Sequence, residues 1–401
     1  MIRLKGAVAM RLTAPFKRFG EWSFLIYRNI GWNGKVGEGM NYFWEKESQT
    51  LLMAIDQAMD TETLRKIHRK LPEVAGSLEK NGYSPTEITS RMGTWHDAIF
   101  RKVLKLAEEK FLRQGVSNLP RYCWLVLGSN GRREATFWTD QDNALIYERG
   151  ELDADAAEEI IATLAKAMVE GLAEAGYPLC QGNVMATNPR WRGTLEEWRN
   201  RLKEWVSDPQ LDHARYTMIA SDARAVAGDA ALFQQWRTDF HALLGQYPGV
   251  LIKEAQRASY RRIPLGPFSR LYTEVHGPYA GKVDIKEGGY LQLVESVRLW
   301  ALRFRLAESS TSERLKGISQ ELSWSIEKEE QVWGALDTFL WWRLSIHAGW
   351  EDGLVKEADN HLDPERLTKR ERSELKGAMK VATSLGKEVH KCGDDWDASV
   401  G

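Results

Sequence analysis

From residue 45 to 112 the apolar residues recur at helical spacing, as in Leu51, Leu52, Ile55 and Met59 and again in Ile99, Val103, Leu104 and Leu106. This predicts a helical N-terminal region. Pro72 and the turn-like NGYSPTE at 81–87 divide it into several helices, with Ser84 or Thr86 as the cap of the next one. At Arg121 the texture changes: YCWLVLGS is apolar on both faces and is ended by Gly128, the pattern of a buried central strand. NALIYE at 143–148 reads as a second strand. Asp153 or Asp155 then caps a helix that carries Ile160, Ile161, Leu164, Met168 and Leu172 on one face, and Gly176 stops it. Residues 178–186 read as a third strand, and TLEEWRNRLKEW at 194–205 returns to an amphipathic helix. Beyond Asp208 the chain is mostly helical, with LQLVESVRLWALRFRLA and QVWGALDTFLWWRLSIHAGW as its strongest segments, and no internal repeat is evident.

A length of 401 residues is too great for one ordinary core and suits two or three domains. We divide the chain into an N-terminal extension at 1–45, a helical lead-in plus a chemistry-bearing domain at 46–208 with its core at 118–190, and a helical C-terminal domain at 209–401. The class is α+β, a small mixed sheet flanked by N-terminal helices and a mostly helical C-terminal domain. The 17 tryptophans fit that helical body, because an indole buries a large area and places a single N–H donor.

Charge narrows the partners. With 55 Lys and Arg against 56 Asp and Glu, no global field favours nucleic acid or an anionic membrane, so any phosphate site must be local. Three cysteines, Cys123, Cys180 and Cys392, are too few and too widely spaced for a disulfide framework or a CxxC metal clip, which fits a reducing cytoplasm. The basic start lacks a small-residue cleavage pattern, and the apolar stretch at 22–32 is broken by Arg28 and falls well short of the roughly 20 residues of a membrane span. The expectation is a soluble cytoplasmic protein without a membrane partner.

The candidate chemistry lies at the first strand's end. Gly128 and Ser129 close that strand, and the triplet DQD at 140–142 opens the next, eleven residues after the serine. Side chains two apart on a strand point the same way, so Asp140 and Asp142 share a face while Gln141 points away. Two carboxylates on one face suit magnesium, or manganese, held together with substrate phosphates. Gly128 removes a β-carbon where backbone must approach phosphate, and Gly131 can take the positive φ of a tight turn. Ser129 can donate to a phosphate oxygen, Arg132 or Arg133 can add a charge-assisted contact, and Glu134 braces one of those arginines. Each piece alone is weak, since isolated DxD triplets are commonly solvated turns and an Arg-Arg-Glu run is commonly a surface ion cluster. Strand, GSxGRxE, eleven-residue spacing, DxD and second strand together are far more specific.

At these residues the chain resembles the polymerase-β-like nucleotidyltransferases, and particularly the bacterial PII-protein uridylyltransferase group. More closely, LGSNGRREATFWTDQDNALIY resembles a family of nucleotidyltransferases associated with signal transduction and frequently joined to cyclic-nucleotide-binding and CBS domains. The similarity continues through AGYPLCQGNVMATNPRW and DARAVAGD into PLGPFSR, VDIKEGGY, ESVRLWAL, STSERL and ADNHLDPERLT, over roughly residues 50–390. The resemblance implies transfer of a nucleoside monophosphate from a nucleoside triphosphate to a hydroxyl, with a protein as acceptor. Asp140 and Asp142 would be the catalytic and metal-binding pair, Gly128, Ser129, Gly131, Arg132 and Glu134 the nucleotide site, and the helical C-terminal region the acceptor's platform. Two departures stand out. The 45 residues before the helical region are too few for a cyclic-nucleotide-binding or CBS domain. The third carboxylate that many members place on a neighbouring strand falls near Cys180, in a stretch without Asp or Glu.

The rival reading is therefore a regulatory nucleotide-binding protein with slow or no turnover. A metal phosphohydrolase built on His96 and Asp97 with His68 upstream is a lesser alternative, because a lone His–Asp doublet is usually a surface or capping pair. His347 and His361 sit in no metal-ligand spacing.

Overall fold

The computed structural model describes residues 38–116, 119–258, 263–347, 360–393 and 396. The extension expected at 1–45 lies outside the described residues apart from the helical backbone of its last eight, as does the stretch at 22–32. Four helices come first among the described residues: α1 (Glu38–Gln57), α2 (Thr61–His68), α3 (Leu71–Lys80) and α4 (Pro85–Arg113). Each break has a local cause. Asp60 caps α2 by accepting the Thr63 N–H at 2.7 Å, and Pro72 sits in the first turn of α3, where its missing N–H costs nothing. Of the two candidates for α4, Ser84 is the cap, in a capping box with Glu87. Thr86 instead donates its N–H and hydroxyl to Asp337, at 2.9 and 2.6 Å.

The sheet has the order β3-β2-β1-β4, with β1 (Arg121–Val126), β2 (Asn143–Glu148), β3 (Arg192–Thr194) and β4 (Arg224–Gly228). β1 runs antiparallel to β2 and to β4, and β2 runs parallel to β3, so the sheet is mixed. In the β1–β2 register Val126 lies opposite Asn143, which sets the residue after β1 beside the residue before β2. Between the strands, α5 (Gly128–Gly131) is a single helical turn. After β2 comes α6 (Ala154–Glu174), capped by Asp153 rather than Asp155 and followed by Gly176 at φ 105°.

The third strand does not form at 178–186. Leu179 makes only an isolated parallel bridge to Gln141, and the chain turns at Cys180, whose carbonyl accepts the Asn183 N–H at 3.0 Å with Asn183 at φ 53°. Pro178 and Gly182 break the β pattern that the apolar residues advertise. The third strand is the short segment just before α7 (Leu195–Ser207). The fourth lies beyond α8 (Leu211–Ala220), past residue 208, in a stretch that reads as helical.

The rest is helical: α9 (Ala230–Gln246), α10 (Gly249–Ala258), α11 (Leu291–Arg303), α12 (Thr311–Glu321), α13 (Ile326–His347) and α14 (Lys369–Gly393), with one small ladder of β5 (Val283–Asp284) and β6 (His361–Leu362). Trp191, Trp198, Trp205 and Trp236 pack in a chain of ring contacts, and the Trp198 indole donates to the Leu145 carbonyl at 3.0 Å, tying α7 to β2. Buried apolar residues form one continuous cluster from Leu51 to Trp396, so the sheet and the later helices share a core.

Candidate active site

Leu127 leaves β1 in extended conformation, and its N–H donates to the Asp142 carbonyl at 2.9 Å, the last rung between the two strands. Gly128 then turns the chain at φ 55°, and a β-carbon on it would stand 2.2 Å from Asp142 Oδ2. A glycine is required here both for the left-handed backbone and for the close approach of the carboxylate. Gly131 does not take the positive φ that its place in the turn suggests. Its lack of a β-carbon serves packing, since that atom would lie 2.1 Å from the Asp222 carbonyl oxygen. The second left-handed residue of the turn is Arg133, at φ 58°.

Gln141 points away from the two aspartates, as expected, and into the core. Its side-chain amide is buried and donates to the Val169 and Tyr177 carbonyls at 3.0 and 3.1 Å. That anchor turns Asp140 and Asp142 to the opposite side, although they lie in an irregular extended segment just before β2 rather than in the strand itself. The Gln141–Leu179 bridge brings Cys180 alongside, and the ligand atoms of Asp140, Asp142 and Cys180 all lie within 4.8 Å of one another. Asp140 is exposed, whereas Asp142 is half-buried. Burial, with the Asp140 charge second, pushes the Asp142 carboxyl up to about 7. Burial also pushes the Cys180 thiol, hydrogen-bonded to Asp142, up to about 12.

The donor set fits a divalent cation: two convergent carboxylates, one of them raised by burial and then by its neighbour, beside a backbone turn that has no side chain in the way. Ser129 is half-buried and its Oγ lies 3.1 Å from Thr139 Oγ1, which also receives the Asn130 amide at 3.4 Å. Thr139 thus links the turn to the DQD segment, a role its position immediately before Asp140 could have signalled.

Behind the turn lies an ion network. Arg132 is 5% exposed and donates to Glu134 at 2.9 Å, to Asp222 and to the Tyr290 hydroxyl. Tyr290 in turn donates to Glu134. Asp222, 0% exposed, also receives Arg298 at 2.7 Å and Arg314 at 3.1 Å. Burial alone would push its carboxyl up, but the guanidinium groups of Arg298, Arg132 and Arg314 hold it below the ordinary range. Arg132 is therefore committed to buried partners, and Glu134 braces it. Asp222, Tyr290, Arg298 and Arg314 reach the turn from distant parts of the chain; each lies in a segment that carries the resemblance, DARAVAGD, VDIKEGGY, ESVRLWAL or STSERL, but no spacing pairs them with the turn. Ser309 adds a bond to the Gly131 carbonyl at 2.9 Å.

His96 and Asp97 are not a surface or capping pair: both are buried in the middle of the 29-residue helix α4. Asp97, 2% exposed, receives both terminal nitrogens of Arg224 at 2.7 Å, and Arg224 also donates to the Asn130 carbonyl, so the doublet braces the turn from below. His96 Nδ1 lies 2.7 Å from the Tyr177 hydroxyl, with His68 packed on the same ring. Among the described residues, Asp140, Asp142 and Cys180 are the one His, Cys, Asp or Glu group with metal-ligand spacing. His361 stacks on Tyr279, and the side chain of His347 lies outside the described residues. No described helix is long and apolar enough to cross a membrane.

No curated protein matches the chain significantly. Residues 69–212, which contain the turn, both aspartates and Cys180, match the family model described as putative nucleotidyltransferase DUF294. Residues 248–391, which contribute Tyr290, Arg298 and Arg314, match the model described as putative nucleotidyltransferase substrate binding domain. The two models together span well over half of the chain, which belongs to this nucleotidyltransferase family.

Proposed function

We propose that the protein transfers a nucleoside monophosphate from a nucleoside triphosphate to an acceptor hydroxyl on a protein, as the PII-protein uridylyltransferases do, in a signal-transduction role. The observation that carries this reading is the convergence of Asp140 and Asp142 beside the Gly128 turn, inside the segment that matches the nucleotidyltransferase model. In this reading Asp140 and Asp142 hold magnesium or manganese. Such a cation, when bound, supplies neutralisation of the charge that develops on the α-phosphate and the leaving group. Ser129 and the backbone of the turn, Gly128 to Gly131, hold the β and γ phosphates. Arg132 and Glu134 act from behind, as positioning residues for the turn. The acceptor oxygen forms a bond to the α-phosphorus, the α–β bridging bond breaks, pyrophosphate leaves, and the hydroxyl proton passes to water. The region matched by the substrate-binding model presents the acceptor.

A second reading, a nucleotide-binding regulator with slow turnover, is favoured by Cys180. It stands beside the aspartate pair where a third carboxylate would ligate metal or take the acceptor's proton, and general-base assistance is worth about a hundred- to ten-thousand-fold. One experiment separates the two. The full-length chain is incubated with each α-labelled nucleoside triphosphate, magnesium or manganese, and a cell lysate. Transfer of label to a protein band, lost in Asp140→Asn and Asp142→Asn, supports the enzyme. Metal-dependent triphosphate binding without label transfer supports the regulator, and binding that is indifferent to metal and to both substitutions overturns the site.

A further inference from the structure

Cys180 is held in place by backbone geometry. The Gln141 N–H donates to the Pro178 carbonyl at 3.0 Å, the Asn143 N–H to the Val184 carbonyl at 3.0 Å, and Gln141 bridges Leu179. Asp142 and Cys180 are the next residues on the two bridged segments, so they are set side by side. The tight turn closed by Asn183 then holds the thiol beside the pair, hydrogen-bonded to Asp142.

Two carboxylate oxygens and one sulfur within 4.8 Å of one another are not a magnesium-type donor set. Magnesium demands oxygen in octahedral array. Thiolate sulfur selects softer cations, and zinc accepts mixed oxygen and sulfur ligands in a tetrahedron. Three protein ligands, one of them the exposed Asp140, leave a fourth tetrahedral position open to water or a phosphate oxygen, as in zinc sites that bind exogenous ligands.

We propose that Cys180 is a third protein ligand at this site, and that Asp140, Asp142 and the Cys180 thiolate bind zinc far more tightly than magnesium, so that zinc displaces the cation that supports nucleotidyl transfer. On binding, the S–H bond of Cys180 breaks, a metal–sulfur bond forms, and one proton passes to solvent. The inference rests on the reading that Asp140 and Asp142 form a divalent-cation site.

The test uses the full-length chain and cobalt(II) as the spectroscopic probe for zinc. Cobalt titration is expected to give a thiolate-to-cobalt charge-transfer band in the near ultraviolet, bleached by one equivalent of zinc but not by excess magnesium. The band should persist in Cys392→Ser and vanish in Cys180→Ser. Zinc affinity in Cys180→Ser should fall by on the order of a hundredfold, at least what loss of an outer-shell partner costs a metal site. Cys180→Asp, a second variant at the same position, should still bind cobalt but without the band. If cobalt binds through Asp140 and Asp142 with no thiolate band, and Cys180→Ser holds zinc as tightly as the wild type, the inference is overturned while the carboxylate site stands. If Asp140→Asn and Asp142→Asn leave cobalt and manganese binding unchanged, the cation reading itself fails and this inference fails with it.

Discussion

The Asp142 carboxylate occupies the space that a side chain on residue 128 would need, with Oδ2 only 2.2 Å from where a β-carbon of Gly128 would stand. Gly128→Ala must therefore push the carboxylate away from Asp140 and Cys180 and also hold alanine at φ 55°, a left-handed conformation that costs about 1–2 kcal/mol. The expected outcome is a modest drop in melting temperature together with loss of metal-dependent triphosphate binding. Calorimetry showing wild-type affinity in a folded Gly128→Ala protein would mean that Asp142 does not act from its present position.

Arg132 stands in the GSNGRRE motif as a natural phosphate ligand, yet it lies buried between Asp222, Glu134 and Tyr290. Arg132→Ala leaves Glu134 without its arginine and removes one of the three guanidinium groups on Asp222. Breaking a buried ion pair from one side costs about 3–5 kcal/mol. We expect a large fall in the denaturant midpoint, and a comparable one for Asp222→Asn, which removes the shared counter-charge of Arg132, Arg298 and Arg314. An Arg132→Ala protein that unfolds at the wild-type midpoint but binds triphosphate weakly would return the residue to the phosphate site.

These two residues also show where sequence reading stops. The glycine, the serine and the paired aspartates were legible because strand alternation and turn chemistry are local, and Gln141 keeps the alternation even though the strand proper begins only at Asn143. The arginine network was not legible. Apart from the Arg132–Glu134 brace, which the sequence does suggest, its bonds join residues 76 to 158 positions apart, from Arg298 to Asp222 and from Arg132 to Tyr290, and no periodicity encodes such pairings. The same limit applies to Asp97, whose partner Arg224 is 127 residues away and lies on a strand hidden in a region of helical texture. The third strand fails at 178–186 for the opposite reason: the apolar content there has a β pattern, while Pro178 and the left-handed Asn183 make it a turn.

The His68, His96 and Tyr177 cluster carries a pH prediction. Burial lowers the His68 imidazole to about 3 and the His96 imidazole to about 4, against an ordinary value near 6.5. Both are therefore neutral in the folded chain while the unfolded chain takes up their protons. Their contribution to stability is fully present above pH 6.5 and is lost as pH falls through 6.5 towards 4 and below. The slope approaches about 1.4 kcal/mol per pH unit for each histidine. In denaturant unfolding measured between pH 7 and 4.5 this fall runs against a rise from the carboxyls of Asp142, Glu79 and Asp337, which burial lifts to about 7, 7 and 6, so it is read as the difference in slope between the wild type and a variant without the two imidazoles. The double variant His68→Asn, His96→Asn should remove it whatever its absolute stability, and an unchanged slope would place the acid-sensitive groups elsewhere.

Lys286 brings the region matched by the substrate-binding model to the edge of the candidate site. It opens a π-helical turn, Lys286–Tyr290, whose first N–H groups, those of Lys286 and Glu287, donate to Asp284 Oδ1 at 2.8 and 3.0 Å. At the other end, Tyr290 is bonded to Glu134 and Arg132, so the turn is docked on the GSNGRRE segment. From there the Lys286 ammonium acts on Asp142, opposing the burial and the Asp140 charge that push that carboxyl up. A half-buried cation on this side of the aspartate pair is well placed to meet the charge of a bound triphosphate. Lys286→Ala is expected to weaken triphosphate affinity roughly tenfold, the worth of one charge-assisted contact of about 1.5 kcal/mol. The melting temperature should barely move, since Tyr290 and Asp284 hold the turn without the ammonium. Lys286→Arg should restore most of the affinity, and the gap between wild type and Lys286→Ala should narrow as salt is raised, because a charge that is not fully buried is screened. Calorimetric titration at low and moderate ionic strength checks all three. A Lys286→Ala protein that binds triphosphate as the wild type does, but no longer labels its acceptor, would move Lys286 from the nucleotide to the acceptor side of the reaction.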